Sequence, residues 1–398
     1  MPTDTLATRQ PSRTADPIET DANSADRWDA FKELPGLYRV ARWMIRRIVW
    51  RLRGLEFALL PVERELSSTV KVAWWRKPKL WRRGFLSESF VLYDLSRNDW
   101  ADYLSDLDRS VSVRRINRDY GVVLDDKLVF ERLMDQGGIP RPALHGVLHG
   151  TRVDPFRPDD EPRDLTQLLY RQGALVLKPA RGGGGKGVHL VQVGDGDAIY
   201  LNGYPVDIGE FLERVTRDGT VLVYDRVRQH NALSQIYPHS LNTIRVLTMT
   251  DRDGRPFVAR AVLRLGTDVS RPTDNWIRGG LCAAVELDQG RLGSAVRFPA
   301  RSDRLDWLTV HPDTGVEISG QDVPQWSAVK ELALQAAGLV PSAPYVGWDV
   351  ALSEQGPVLI EGNSYSGVNL FQVHAPLLTT PEIRDFFIRQ GVIQKSGK

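Results

Sequence analysis

Three short segments carry side chains able to handle phosphate and a divalent cation. In Leu175–Val191, Lys178 closes an apolar run and Gly182, Gly183, Gly184, Gly185, Lys186 and Gly187 follow within nine residues. Bare glycine backbones let N–H groups approach phosphate oxygens closely, and an ammonium supplies the countercharge. Gly182, Gly184 and Gly187 satisfy G-x-G-x-x-G, but Val188–Val193 reads as a second strand, where a dinucleotide turn would open a helix. Lys186 is followed by Gly187 and not by Ser or Thr, which excludes a Walker A loop. Two expectations stay open for this segment alone: a hairpin closing over a nucleoside triphosphate, or an ordinary glycine-rich turn.

The second segment joins Tyr345–Leu352 to Pro357–Asn363 through Ser353-Glu354-Gln355-Gly356, a strand–turn–strand pattern. Paired about that turn, Asp349 falls opposite Ile360 or, with a one-residue bulge, opposite Glu361. Glu361 and Asn363 are two apart and so leave the strand on one face. With Asp349 they offer the hard oxygen donors that Mg²⁺ accepts, or else a solvent-facing acid on each strand. In the third segment, alternation after Asn242 puts Thr243, Arg245 and Leu247 on one side of an otherwise apolar strand. Arg245 there wants an anion, either a phosphoryl group or a carboxylate on a neighbouring strand.

These three segments, in this order and spacing, resemble the ATP-grasp superfamily, and more narrowly its sugar-transfer-associated, α-L-glutamate-ligase-related branch, over roughly residues 85 to 385. The resemblance implies an α+β fold in which ATP lies between a glycine-loop lid subdomain and a central β-sheet. It makes Lys178 an α/β-phosphate ligand, the Gly182–Gly187 loop the lid, and Arg245 the group stabilising phosphoryl transfer. Asp349, Glu361 and Asn363 would hold Mg²⁺, with Mn²⁺ as an alternative ion. Upstream, Asp125–Pro140 has an acidic start, apolar residues at helical spacing and a glycine stop, and Lys127 matches the family's first phosphate-binding lysine. The adenine hinge falls in Val221–His230, which points to Tyr224, Asp225, Val227 and His230; members more often carry Glu where Asp225 stands, and His230 reads equally as a packed structural residue. The implied reaction is phosphorylation of a small-molecule carboxylate and capture of the acyl phosphate by an amine or glycan acceptor, in cell-surface polysaccharide assembly. Phosphotransfer to a small molecule or sugar, and a non-catalytic nucleotide-binding adaptor, are the rival expectations. The H-R-D and D-F-G segments of protein kinases do not occur.

Around these segments, 398 residues with 42% hydrophobic and 26% charged side chains allow a substantial core in two or three domains. The net charge of +2 gives no global pull on nucleic acid, which is not an expected partner. The single cysteine, Cys282, excludes an intrachain disulfide and sits in an apolar β-like run as a core residue. Residues 1–27, rich in Thr, Asp, Pro, Ala and Ser, read as a disordered tail without a secretory core. A basic Trp/Arg-rich region is expected over 28–110. Within it, Leu37–Phe85 holds thirteen Lys/Arg against three Glu, with Trp43, Trp50, Trp74, Trp75 and Trp81 interleaved. Either the tryptophans pack on the catalytic body, or the segment lies on an anionic membrane from the cytoplasmic side. No run approaches the roughly 20 apolar residues of a membrane span. The first part of the module is expected over 111–170, with Pro155–Arg163 as linker or surface loop, and the nucleotide-binding and catalytic domain over 171–390.

Overall fold

Two antiparallel sheets dominate the chain, and helices cover them. The structure, a computed structural model, describes residues 64 to 394 apart from 67, 69, 158–160, 162, 183, 218 and 300–301. They belong to one compact unit that begins at Ala58. The expected tail, the stretch around Trp43 and Trp50, and Gly183 lie outside the described residues.

The eight-stranded sheet runs in the order β3-β2-β1-β8-β4-β5-β6-β7. Its strands are β1 (Leu144–His149), β2 (Arg152–Pro155), β3 (Arg163–Asp164), β4 (Ala174–Pro179), β5 (His189–Val193), β6 (Ile199–Leu201), β7 (Tyr204–Pro205) and β8 (Val221–Asp225). The glycine segment is the β4–β5 hairpin loop, with Leu177 opposite His189. β1 to β3 therefore share a sheet with β4 to β8, and the boundary expected near residue 170 cuts through that sheet. Pro155–Arg163 is a connection between two paired strands, not an interdomain linker.

The seven-stranded sheet has the order β13-β12-β11-β10-β9-β14-β15. It comprises β9 (Thr243–Thr250), β10 (Pro256–Leu265), β11 (Leu281–Val285), β12 (Leu292–Arg297), β13 (Asp306–Leu308), β14 (Tyr345–Ser353) and β15 (Gly356–Asn363). Turns fall at Asp253-Gly254 and Asp288-Gln289-Gly290, as their residue types demand. One face of this sheet carries Ile244, Val246, Trp348, Val350 and Leu359 into a core shared with helices Lys127–Gln136 and Trp326–Gly338. Trp348 is fully buried and its indole N–H donates to Thr248 Oγ1 at 2.8 Å. Gly362 makes room for it, because a Cβ there would come within 2.8 Å of the indole ring.

On the other face the strands carry charge at one end and core at the other. Leu247, Met249 and Tyr345 pack with Leu80, Phe85, Leu92, Tyr93 and Leu104 from the N-terminal segment. Burying a side chain of this size stabilises by about 1.5–3 kcal/mol, so residues 80–104 are part of the catalytic body and no boundary falls near residue 110. The expectation that the tryptophans pack inward fails for those described. Leu80 is 1% exposed, whereas Trp74, Trp75 and Trp81 are 77%, 65% and 51% exposed. A helix Lys77–Arg82 whose one buried residue is Leu80 buries a single stripe, which Trp81 lies off, while Trp74 and Trp75 belong to the turn Trp74–Arg76 before it, where nothing is buried. Among the described residues, no helix is long and apolar enough to cross a membrane. Cys282 is buried, as its apolar run predicts.

Candidate active site

The bulged register of the β14–β15 hairpin decides the acid pair. Asp349 stands opposite Glu361, the ladder slips between Asp349 and Val350, and Ile360 has no partner. β9 lies on the other side of β14 with Arg245 opposite Asp349, and β10 follows with Arg264 opposite Thr243. Four adjacent strands thus present Arg264, Thr243, Arg245, Asp349, Glu361 and Asn363 to one cleft of about 1300 Å³. The glycine loop and β4 form its opposite wall.

Arg245 meets one of the two anions expected for it, the carboxylate on a neighbouring strand. Its Nε and Nη2 donate to the two carboxylate oxygens of Asp349, the second at 2.8 Å. Arg264 Nη2 donates to the same carboxylate at 3.0 Å and lies 3.2 Å from Asp274. Asp274 in turn accepts from the Thr243 hydroxyl at 2.6 Å and from its backbone N–H at 2.9 Å. Burial by itself would raise the Asp349 carboxyl, but Arg245 and Arg264 outweigh it and hold it at about 2. Glu361 goes the other way: burial and the neighbouring Asp349 push its carboxyl up, against the smaller pull of Arg245 and Lys178. Gly347 keeps space for this arrangement, since a Cβ there would fall 3.1 Å from Arg245 Cδ and 2.2 Å from Ser366 Oγ.

Two facing carboxylates and one side-chain amide are an oxygen-only donor set of the kind that suits Mg²⁺. Asn363 Nδ2 donates to the Gly347 carbonyl at 3.2 Å and to Glu361 at 3.3 Å, which orients its amide beside the acids. Among the described residues no group of three His, Cys, Asp or Glu could hold a metal, so a cation at this acid pair would need the Asn363 amide or other donors besides the two acids. The unfavourable closeness of Asp349 and Glu361 is itself what a bound cation would relieve.

Lys178 leaves β4 into the cleft, with its ammonium 5.0 Å from the Tyr224 ring centroid. Burial lowers its pKa, and Glu361 and Glu131 act against that loss. Burial and the adjacent Glu131 raise the Tyr224 phenol. Lys127 sits at the start of its helix, where Asp126 accepts from the Leu128 and Val129 N–H groups. Its ammonium donates to the Gly182 carbonyl at 2.9 Å, and Asn275 Nδ2 donates to the Gly184 carbonyl at 2.9 Å from the other wall. The loop turns through positive φ at Gly182, Gly184, Gly185 and Gly187, which L side chains rarely adopt. Gly182, Gly184, Gly185 and Lys186 line the cleft, whereas Gly187 is not among the lining residues and lies against Pro179.

At the hinge, Tyr224, Asp225 and Val227 line the cleft. Asp225 is paired with His145 Nε2 across 2.7 Å. His230, expected beside the nucleotide, is not among the lining residues; its Nδ1 accepts from the Ala232 N–H at 3.2 Å and caps helix Asn231–Ile236. An imidazole committed to a helix N-terminus is a structural group. Asn242, three residues before Arg245, is also structural, donating to the Tyr237 and Leu233 carbonyls while fully buried.

Sequence reasoning missed Arg264, Asp274 and Glu131. Arg264 had the same signal as Arg245, a lone arginine in the apolar run Ala261–Leu265. Glu131 is one turn beyond Lys127, is 3% exposed, and accepts from Arg141 Nε at 2.8 Å. Asp274 lies in a loop and had no local signal.

A family described as sugar-transfer associated ATP-grasp matches residues 110–382. No curated protein matches the chain. Among solved structures, the chain is similar to a biotin carboxylase from Campylobacter jejuni, at 13% identity and TM-score 0.40, over 69% of this chain and 48% of that one. It is similar to the D-alanine-D-alanine ligase from Coxiella burnetii, at 13% identity and TM-score 0.36, over 72% and 59%. A RimK domain ATP-grasp protein from Sphaerobacter thermophilus matches at 14% identity and TM-score 0.36, over 68% and 70%. The chain spans less than two thirds of the length of the first two.

Proposed function

We propose that this chain, which belongs to the sugar-transfer associated ATP-grasp family, is an ATP- and Mg²⁺-dependent carboxylate–amine ligase acting through an acyl phosphate. The observation that carries the reading is the opposition of two walls across one cleft. Lys178 and the glycine loop lie on one side, and the Arg245–Asp349–Glu361–Asn363 face lies on the other. A nucleotide whose adenine lies by Tyr224, Asp225 and Val227 would extend its phosphates between those walls. Lys127 and Lys178 would neutralise phosphate oxygens, and the loop N–H groups would cover them. Asp349, Glu361 and Asn363 would hold Mg²⁺, or Mn²⁺ in its place, which lowers the repulsion between phosphate and the incoming carboxylate.

Arg245 is held by Asp349 in a fixed orientation, so its remaining N–H groups meet the transferring phosphoryl oxygens without reorganising. The substrate carboxylate attacks the γ-phosphorus and ADP leaves; the amine then attacks the acyl carbon, phosphate leaves, and the amine proton passes to solvent. The residues position and neutralise rather than form a covalent intermediate. The description of the family as sugar-transfer associated supports a sugar or glycan acceptor.

The exposed Trp74, Trp75 and Trp81 beside Lys71, Arg76, Lys79, Arg82 and Arg83 support peripheral contact with an anionic bilayer on the cytoplasmic side. Cations there attract anionic headgroups, and indoles favour the interface.

The deciding experiment screens carboxylic acids against amines and amino sugars, reading ADP release and product mass together. ADP release with a mass gain equal to the condensed amide is the expected result. A phosphorylated product that no amine consumes would make the protein a phosphotransferase, and binding of ATP without turnover on any pair would make it an adaptor.

A further inference from the structure

Arg109 is a cleft cation with no carboxylate in hydrogen-bonding reach among the described residues, and Glu88 acts on its charge only from beyond salt-bridge distance. It lies in the short helical stretch Asp108–Ser112 and lines the cleft. Its Nε is buried and has no hydrogen-bond partner, and its guanidinium forms no ion pair among the described residues. The group is held in place by contacts that carry no negative charge: it lies over the Tyr365 ring at 5.3 Å, and the Tyr365 hydroxyl donates to the Arg109 carbonyl at 3.1 Å. Gly367 lies beside it, and a Cβ there would stand at ordinary contact distance from Nη2. Two more buried polar atoms nearby in the chain, Ser366 Oγ and Asn369 Oδ1, also have no partner.

The position follows from the strand register. Ser353, at one end of β14, bridges to Gln229 just past the hinge. Asp349 comes next along the strand, and Gly347, about 7 Å further on at strand spacing, stands opposite Asn363. The chain then runs directly into Tyr365 and Gly367 against Arg109. Arg109 is therefore on the far side of the acid pair from the hinge, beyond the end of the cleft that the nucleotide takes in the ligase reading.

We propose that Arg109 binds a second anionic group on the carboxylate substrate, so that the acid ligated is a dianion. One carboxylate faces Arg245 and the phosphates, and the other anion pairs with Arg109. This rests on the ligase reading above. A partly buried guanidinium with no hydrogen-bonded counter-ion is costly, and a planar anion returns that cost while making the paired hydrogen bonds that the more distant Glu88 does not make. The second anion is a carboxylate or a phosphoryl-type group, which share this chemistry.

The test is calorimetric titration of the full chain, loaded with Mg–ADP, with succinate, succinamate and 3-phosphonopropionate. Succinate or the phosphonate is expected to bind at least about tenfold more tightly than succinamate, a neutral isostere of one end. The tighter of the two dianions identifies the second anion as carboxylate or phosphoryl. Arg109→Gln is expected to remove that preference, Arg109→Lys to retain part of it, and ADP affinity to stay unchanged in both. Equal binding of succinate and succinamate, no binding of either dianion, or a preference that survives Arg109→Gln overturns the proposal. Loss of ADP affinity in Arg109→Gln overturns it too, because it assigns the residue to the nucleotide. Failure of the coupling screen counts against the ligase reading, yet leaves the Arg109-dependent binding difference measurable and so separable.

Discussion

The two walls of the cleft are made of different material. Every residue of β14 is buried and Asp349 is 1% exposed, while Gly182, Gly184, Lys186 and Gly187 on the opposite loop are exposed. The sheet wall holds its charges in mutual pairs, Arg245 and Arg264 against Asp349 and Asp274. The loop is tied by two side-chain hydrogen bonds to its own carbonyls, from Lys127 and Asn275. Charges that must stabilise a transferring group belong on paired central strands, where geometry costs nothing to hold at the moment of reaction. Groups that must let a nucleotide in and out belong on backbone with few tertiary ties. The contrast predicts that substitutions on the sheet wall affect folding and turnover together, whereas those on the loop affect nucleotide affinity alone.

The largest effect is expected from Asp349→Ala. It leaves Arg245 and Arg264 buried with less countercharge, which costs about 3–5 kcal/mol. Differential scanning calorimetry should show a large fall in Tm together with lost turnover; an unchanged Tm would break the comparison. Next, Arg245→Lys should lower kcat by about 100-fold or more while ATP affinity shifts only a few-fold, because an ammonium cannot hold Asp349 and reach spread phosphoryl charge at once. Equal losses of binding and rate would assign Arg245 to the ground state.

On the loop, Gly185→Val should raise the KM for ATP about tenfold at unchanged Tm. Gly185 has φ +71° and a Cβ would already lie 2.9 Å from Thr273 Cγ2. A fall in Tm as large as that of Asp349→Ala would erase the distinction between the walls.

The acid pair also sets opposite pH dependences. The depressed Asp349 carboxyl contributes stability that is present above its unfolded value of 3.8 and lost as pH falls through about 2. The raised Glu361 carboxyl works in reverse: its contribution is complete below its unfolded value of 4.5 and is lost as pH rises through its folded value. If Glu361 holds the cation as proposed, binding needs it ionised, so Mg–ADP should release a proton on the acid side of that folded value. Titration calorimetry in buffers of different ionisation heat measures it, and Glu361→Gln should abolish the release. The smallest effect on turnover is expected from changing Trp74, Trp75 and Trp81 together to Ser. Stability should move by less than about 0.5 kcal/mol per site, as at other exposed positions, with soluble-substrate turnover intact and binding to anionic vesicles lost. A collapse of Tm would show these indoles to be packed.

Much of this arrangement was legible in local pattern. The hairpin around Gly182–Gly187 follows from strands on both flanks, and the helix at Asp126 from its cap and glycine stop. The pairing of Asp349 with Glu361 needed the bulge, which is one of two registers that the turn permits. His230 could not be assigned from spacing, because a ring two residues before a backbone N–H at a helix start caps it whatever its distance from a ligand. Arg264 was overlooked although its apolar setting was visible, and Asp274 was beyond reach, since a loop acid acquires meaning only from what folds against it.

Residue type and alternation by themselves determined the strand that bears Arg245, the β14–β15 hairpin and the glycine loop between strands. These depend on near neighbours along the chain, on period-two burial and on turn chemistry. The tertiary structure alone decided that Arg245 and Arg264 share Asp349, that Trp74, Trp75 and Trp81 face outward, and that Arg109 reaches the cleft from a segment more than 200 residues before β14. Those outcomes turn on which strands lie side by side and on how much charge each buried site can balance. Such sums run over residues far apart in sequence, and no local window contains them.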